Sequence, residues 1–336
     1  MPIPAVSLAG KQVGKVGLGL MQLTWTPSPP PDDVSFAAMK AAADAGATTW
    51  SSATFYGNGA PGETGAAFDN LRLLGRFFRA YPEYVGRVQL VVKGGIGPGM
   101  DITSDLAFNR HLLAHARECL GVPIDVYLPA RIRPGADPVA FFRDFDTLRR
   151  EGLFGALGAS EISAGTLDKL AAAGIEISVI EIEVSLWSYD DDVRAVLQWS
   201  AEHAVPVYAY SPLGRGFLTR AWKTPEDVPE GSFQKHSPRF QGENFYKNLK
   251  LVDVLDEMAA RRGLTTAQLA IAWVSALGPY VVPIPGSKNA ERARQNTEAA
   301  NIVLSKEEME QIDEIIRQFP PSGGRYPEDH SGALMQ

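Results

Sequence analysis

Eight short apolar runs alternate with eight amphipathic helical patterns along this chain, and that alternation limits its fold more than any other feature. The runs lie at 15–20, 48–52, 88–93, 125–129, 156–159, 178–184, 206–210 and 281–284. The helical patterns lie at 33–45, 62–81, 105–120, 138–151, 163–173, 189–203, 248–262 and 265–276, with two more helices at 289–299 and 305–318. A strand followed each time by a helix implies parallel strands. Eight such units count out a closed (β/α)8 barrel, the TIM-barrel class. The rival, a doubly wound sheet, usually carries GxGxxG after its first strand, and Gly17-Leu18-Gly19-Leu20-Met21 departs from that pattern. A barrel accommodates all 336 residues as one domain, 1–336. The segment 6–14 alternates around a glycine turn and reads as an N-terminal hairpin closing the barrel bottom. Ser163, Thr265 and Ser305 occupy N-cap positions. Two stretches break the rhythm. The segment 214–246 is a long loop after the seventh strand, placed over the barrel mouth. The tail 319–336, after the extra C-terminal helix, reads as a covering arm or a partly disordered end.

Composition narrows the class of function. A formal net charge of −7 argues against nucleic acid, so any phosphate site has to be a local basic cluster. One cysteine, Cys119, permits neither an internal disulfide nor a thiolate metal cage. The histidines form no HExxH pattern; His111 and His115 share a helix face at a spacing that suits solvent more often than metal, so no metal is expected. No apolar run is long enough for a membrane helix, and the first residues lack the order of a signal peptide. A cytoplasmic enzyme without nucleic-acid or membrane partners is the expectation.

In a barrel, chemistry sits where strands end. The first strand ends at Leu20 and Met21, with Trp25 beyond; the second at Ser51 and Ser52, with Tyr56 after a turn. The third ends at Lys93, the fourth at Ala130 and Arg131, the fifth at Ser160 and Glu161. The sixth carries Glu181 and Glu183, and the seventh ends at Tyr210 and Ser211. After the eighth, Ile-Pro-Gly leads into a helix opening with Ser287, Lys288 and Asn289, with Arg292, Gln295 and Asn296 about one turn on. Ser287, Lys288 and Arg292 converge there with a helix N-terminus, a place for a dianionic phosphate. The amide side chains suit an adenine edge. That combination fits a nucleotide with an extra ribose phosphate, such as NADPH. A tyrosine beside a lysine can donate a proton to a carbonyl oxygen as hydride reaches the carbon. Taken singly, each residue also fits an ordinary place: a wet loop phenol, a strand-end lysine reaching solvent, a capped surface helix. Glu181 and Glu183 alternate on one strand and can both face the interior. There they can act as a glycosidase pair, bind an amide, or compensate Lys93.

Together these strand ends resemble the aldo-keto reductase superfamily over roughly residues 5–318. Thr54-Phe55-Tyr56-Gly57 resembles its tyrosine motif, and Val92-Lys93 its lysine strand. Gly158-Ala159-Ser160-Glu161 resembles the GxSN segment that holds the nicotinamide amide. The segment from Ala209 to Gly216, AYSPLGRG, resembles the pyrophosphate loop, and Ile284 through Asn296 the NADP-binding ending. The resemblance implies NADPH as cofactor. It implies contacts from Leu20, Met21, Ser160, Glu161, Glu181, Tyr210, Ser211, Leu213, Gly214, Gly216, Ser287, Lys288, Arg292, Gln295 and Asn296. It makes Tyr56 and Lys93 catalytic, and Trp25, Ser51, Ala130 and Arg131 the substrate pocket.

The departures are specific. The family's Asp and His positions hold Ser51 and Ala130, its asparagine is Glu161, and its sixth-strand glutamine is Glu181. Without the Asp, the ammonium of Lys93 is expected to act on Tyr56 less compensated, unless Glu181 or Glu183 pairs with it. A short residue followed by Arg131 is similar to the fungal pyridoxal reductase subgroup. The implied reaction is reversible reduction of a small-molecule aldehyde, pyridoxal to pyridoxine, with NADPH. The alternatives are a broad-scope reductase of other aldehydes or ketones and a weakly catalytic NADPH-binding regulatory subunit.

Overall fold

The computed structural model describes residues 5–59, 67–326, 334 and 335. An antiparallel hairpin of β1 (Ala5–Leu8) and β2 (Lys11–Gly14) comes first. The parallel strands follow: β3 (Leu18–Gly19), β4 (Thr49–Ala53), β5 (Gln89–Gly94), β6 (Val126–Pro129), β7 (Ala156–Leu157), β8 (Ala159–Ser160), β9 (Ile180–Glu183), β10 (Val207–Tyr210) and β11 (Val281–Pro283). They pair in the order β3-β4-β5-β6-β7 and β8-β9-β10-β11.

These two sheets form one ring. The expected fifth strand is a single stave broken at Gly158 into β7 and β8. The Gly158 amide still donates to Tyr127 at 2.9 Å, while Ser160 pairs with Glu181 on β9. At the other seam Gly17 donates to the carbonyl of Pro283 at 2.9 Å and Gly19 to that of Pro285 at 3.2 Å. Strand β3 thus bonds both β4 and the end of β11. A Cβ on Gly19 would lie 2.8 Å from the Ile284 carbonyl oxygen, so the closing seam requires a residue without one. The (β/α)8 barrel read from the alternation is the fold, with a first stave shorter than the apolar run 15–20 because its ends splay into the hairpin and the mouth.

Alternate residues face opposite sides of each stave. Trp50, Leu90, Val92, Ile180, Ile182, Val207 and Ala209 pack outward under the helices. Val91, Leu128, Val179, Tyr208 and Val282 fill the interior, plugged from below by Val6, Leu8 and Val13 of the hairpin. Next along the inward rows come Ser51, Lys93, Glu181 and Tyr210, one polar layer above that apolar plug.

The outer helices are α1 (Asp32–Asp44), α2 (Asp69–Ala80), α3 (Leu106–Leu120), α4 (Pro138–Arg150), α5 (Ala164–Ala172), α6 (Asp191–His203), α7 (Phe233–His236), α8 (Gly242–Arg261), α9 (Thr266–Ala276), α10 (Ala290–Glu298) and α11 (Lys306–Gln318). Ser163, Thr265 and Ser305 are N-caps: each side chain accepts the amide three residues on, from Thr166, Gln268 and Glu308. The helix expected over 62–81 begins at Asp69, after Phe68 in a left-handed conformation; its expected first residues, up to 66, lie outside the described residues. The expected loop 214–246 is more ordered than its composition suggests. It is broken into short helical turns, and α8 starts at Gly242, ahead of the expected 248. Aromatic packing explains this: Phe217 stacks on Trp187 at 4.4 Å and meets Phe245 edge-on at 4.9 Å.

Candidate active site

The strand ends at the barrel mouth carry two clusters of buried charge. In the first, Lys93 is 4% exposed, because its inward row on β5 follows Gln89 and Val91. Its Nζ donates to Glu181 Oε1 at 2.8 Å and to Ser51 Oγ at 2.7 Å, and Ser51 Oγ donates to Glu181 Oε2 at 2.7 Å. Lysine, serine and glutamate therefore close a triangle across β4, β5 and β9. The half-buried Tyr56, on the turn after β4, stands over it with Lys93 Nζ 5.1 Å from the ring centroid. Trp25 flanks that ring, its centroid 5.6 Å away.

This triangle takes up the alternative left open for Lys93: Glu181, reaching across the barrel, supplies the carboxylate that Ser51 lacks. Glu181 and Ser51, expected at a cofactor amide and in a substrate pocket, are both bonded to Lys93 in the barrel interior. Burial pushes the Tyr56 phenol above its ordinary pKa; the positive charge of Lys93 opposes this and the negative charge of Glu181 adds to it. The phenol is therefore protonated at neutral pH, a proton donor rather than a phenolate. Ala130 is 3% exposed. The Arg131 Nη1 donates to the Ala130 carbonyl at 2.5 Å. Among the described residues no carboxylate forms an ion pair with Arg131, and its charge acts on Tyr56.

The second cluster lies by Tyr210. Glu161, 0% exposed and with φ of 49°, accepts the Tyr210 hydroxyl at 2.8 Å and the Glu183 amide at 3.2 Å. Glu183 accepts Arg215 at 2.8 Å and Ser188 at 3.2 Å. Burial would raise the Glu183 pKa, but Arg215, Arg325 and Arg239 outweigh it and hold the carboxyl below its usual range. Arg325, from the C-terminal arm, bonds Glu161 at 3.0 Å and Glu183 at 3.2 Å. Tyr326 beside it places its hydroxyl 3.1 Å from that of Tyr210. The tail is thus a covering arm as far as Tyr326; 327–333 and 336 lie outside the described residues. Sequence reading missed Arg215, Arg325 and Tyr326. The available signal was the carboxylates: two buried glutamates at interior strand ends need cations.

The eighth-strand site has the expected order. Asn289 caps α10 by accepting the Arg292 amide at 2.9 Å, and Ser287 Oγ is engaged with Asn289. Lys288 Nζ bonds Thr26 Oγ1 at 3.0 Å and the Ser28 carbonyl at 3.3 Å, tying the site to the loop after β3. Gln295 donates to Glu291 at 2.9 Å, whereas the side chains of Arg292 and Asn296 make no hydrogen bond among the described residues. In the loop after β10, Ser211, Arg215, Gly214 and Gly216 all have positive φ. Non-glycine residues in that region are strained and concentrate where ligands bind. Leu20 is buried and Met21 is 40% exposed. Leu213 packs against the core beside Gly214.

The residues fit a dinucleotide. Ser160 Oγ is buried without a hydrogen-bond partner among the described residues, so it can bond a ligand there. Arg292 and Asn296 are free to bind a phosphate and a base. A cavity of about 470 Å³ lies at the other end of the barrel, lined by Lys11, Gln89 and Asp125, and contains none of these groups. Among the described residues no three metal-ligating side chains converge, and no helix is long and apolar enough to cross a membrane.

The model of the aldo/keto reductase family matches residues 15–317. A Schizosaccharomyces pombe protein, aldo-keto reductase yakc, whose name carries NADP(+), is 32% identical over 342 residues, covering 97% of this chain and 95% of the relative. Another from that organism, named "Probable pyridoxal reductase 2", is 30% identical, covering 94% and 96%. Among solved structures, a glycerol dehydrogenase from Gluconobacter oxydans superimposes with a TM-score of 0.81 at 22% identity, covering 96% of this chain and 98% of that one.

Proposed function

The chain belongs to the aldo/keto reductase family, and from that premise we propose that it reduces pyridoxal to pyridoxine with NADPH, the proton coming from Tyr56. It is an NADP-dependent oxidoreductase acting on small carbonyl compounds. The role of Tyr56 as proton donor is carried by one arrangement: a protonated phenol above a lysine that is itself held by a carboxylate.

Bound NADPH supplies a hydride to the carbonyl carbon. Tyr56 gives its hydroxyl proton to the carbonyl oxygen, and the alcohol forms with atoms and charge in balance. The ammonium of Lys93 stabilises the phenolate left behind. Glu181 and Ser51 fix that ammonium, so its field is aimed but partly neutralised. Ser160 and Glu161 would hold the carboxamide of the cofactor: the unpartnered Ser160 hydroxyl donates and the Glu161 carboxylate accepts. Lys288 and Arg292 would hold the ribose phosphate, with Gln295 and Asn296 at the base.

The family's histidine is absent, and losing such a donor costs roughly 3 kcal/mol in the transition state if nothing replaces it. Two things support pyridoxal as a substrate that tolerates the loss. Its 3-hydroxyl, ortho to the aldehyde, hydrogen-bonds the carbonyl oxygen internally. The oxygen of that hydroxyl can in turn accept from the guanidinium of Arg131, which has no carboxylate partner among the described residues. The name of one relative points to the same aldehyde.

The test follows NADPH absorbance with and without pyridoxal. Tyr56→Phe should lower turnover roughly 10²–10⁴-fold with little change in cofactor binding. Equal turnover of pyridoxal and its 3-deoxy analogue would remove the substrate assignment while leaving the reductase. The double change Lys288→Ala and Arg292→Ala should weaken NADPH by about 1.5–3 kcal/mol per lost contact and leave NADH nearly untouched.

A further inference from the structure

The Glu161 carboxylate is the most deeply enclosed charge at the barrel mouth. Its Oε1 is crowded, with Tyr210 at 2.8 Å, Arg325 at 3.0 Å and the Glu183 amide at 3.2 Å. Among the described residues its Oε2 accepts only Arg325, at 3.2 Å, and so keeps acceptor capacity for a further donor. Arg215 forms its ion pair with Glu183, not with Glu161. Among the described residues Arg325 is therefore the one cation in ion-pair contact with Glu161.

That cation comes from outside the barrel, and the arm carrying it is held at successive residues. Ser322 exchanges hydrogen bonds with Asn248, and Arg239 donates to the Gly323 carbonyl at 3.1 Å. Gly323 has φ of 89°, and a Cβ there would lie 2.9 Å from the Pro238 backbone, so the arm passes only with glycine. Arg215 then donates to the Arg325 carbonyl at 3.0 Å, and its guanidinium lies 4.4 Å from the Tyr326 ring centroid. The same arginine thus neutralises Glu183 and seats the residue that neutralises Glu161.

We propose that the C-terminal arm is part of the dinucleotide site, with Arg325 a positioning residue that holds the Glu161 carboxylate in place, its less crowded oxygen presented to the nicotinamide carboxamide. This rests on the assignment of Ser160 and Glu161 made above. A fully buried carboxylate stripped of its cation is left with an unmatched charge and leaves its place or takes another partner. Either event changes what the carboxamide meets. A neutral amide at position 161 needs no such cation, so Glu161 and Arg325 form a matched pair: removing one harms the site, and neutralising both spares it.

The full-length protein and three variants, Arg325→Ala, Arg325→Lys and the double Glu161→Gln/Arg325→Ala, are titrated with NADPH and with adenosine 2′,5′-bisphosphate, following tryptophan fluorescence. Arg325→Ala should weaken NADPH about tenfold, the size of one charged hydrogen bond, and leave the adenosine fragment, which lacks a nicotinamide, unchanged. The lysine variant should fall between, and the double variant should recover most of the loss. Unchanged or tighter NADPH binding by Arg325→Ala would overturn the proposal, tighter binding meaning that the arm competes with the dinucleotide. An equal loss for both nucleotides, or a double variant no better than the single, would overturn it as well. A wild-type protein that binds no NADPH would instead sink the assignment beneath it.

Discussion

The two buried charge clusters at the barrel mouth use the same chemistry on different supports. Lys93, Ser51 and Glu181 all stand on staves of the ring, so their mutual distances of 2.7–2.8 Å are held by the backbone ladder of β4, β5 and β9. Glu161 and Glu183 also sit at stave ends, but their cations arrive on the loop after β10 and on the C-terminal arm. The first cluster lies under Tyr56, the proposed proton donor. The second lies where the cofactor's amide is proposed to rest. Rigid placement suits chemistry, because a proton donor out of position by an ångström loses much of its rate. Partners on loops suit a site that has to admit and release a large ligand.

The largest expected effect breaks the rigid cluster. Glu181→Ala leaves the Lys93 ammonium buried without its carboxylate, which should cost about 3–5 kcal/mol of stability in urea unfolding. Arg215→Ala leaves Glu183 still paired with Arg325 and should cost less than half as much; equal losses would erase the distinction drawn between the supports. A milder change sharpens it. In Glu181→Gln the shape stays and one negative charge near Tyr56 goes, so the phenol's pKa falls. Carbonyl reduction needs the protonated phenol, so its rate falls as pH rises through that pKa, and the alkaline limb should move to lower pH in the variant. An unmoved limb would mean that Glu181 does not act on Tyr56. The smallest effect concerns Glu183, whose folded pKa is depressed below its unfolded value. Its contribution is present above the unfolded carboxylate range and is lost as pH falls through the folded value. Glu183→Gln should therefore flatten the acid side of a plot of melting temperature against pH. Arg215, Arg325 and Ser188 donate to it and Arg239 faces it; the neighbouring Glu161 carboxylate opposes them, and the net shift stays downward because the arginines outweigh it.

Much of the fold was legible because its determinants are local. Eight alternating runs, three N-caps that bond as their residue types require, and an acidic run at the start of α6 can each be read from a few adjacent residues. The site was legible in part. Tyr56 and Lys93 come together because the ring makes neighbours of the second and third staves. Expectations stayed open where a charge had several partners to choose from. Glu181 had two roles open to it, an amide ligand or the counter-charge of Lys93, and the sequence did not choose between them. The loop over 214–246 looked irregular and is held by aromatic packing that composition does not reveal.

The order of strands and helices, the caps, and the identity of the phenol and the ammonium were written in the chain itself, because backbone propensity and side-chain period act over a handful of residues. Which acid meets which base was decided only when the ring closed. Lys93 and Glu181 are 88 residues apart, and Glu161 and Arg325 are 164 apart. No local pattern reports such separations. A buried charge takes whatever counter-charge the fold brings within reach, and that reach exists only in three dimensions.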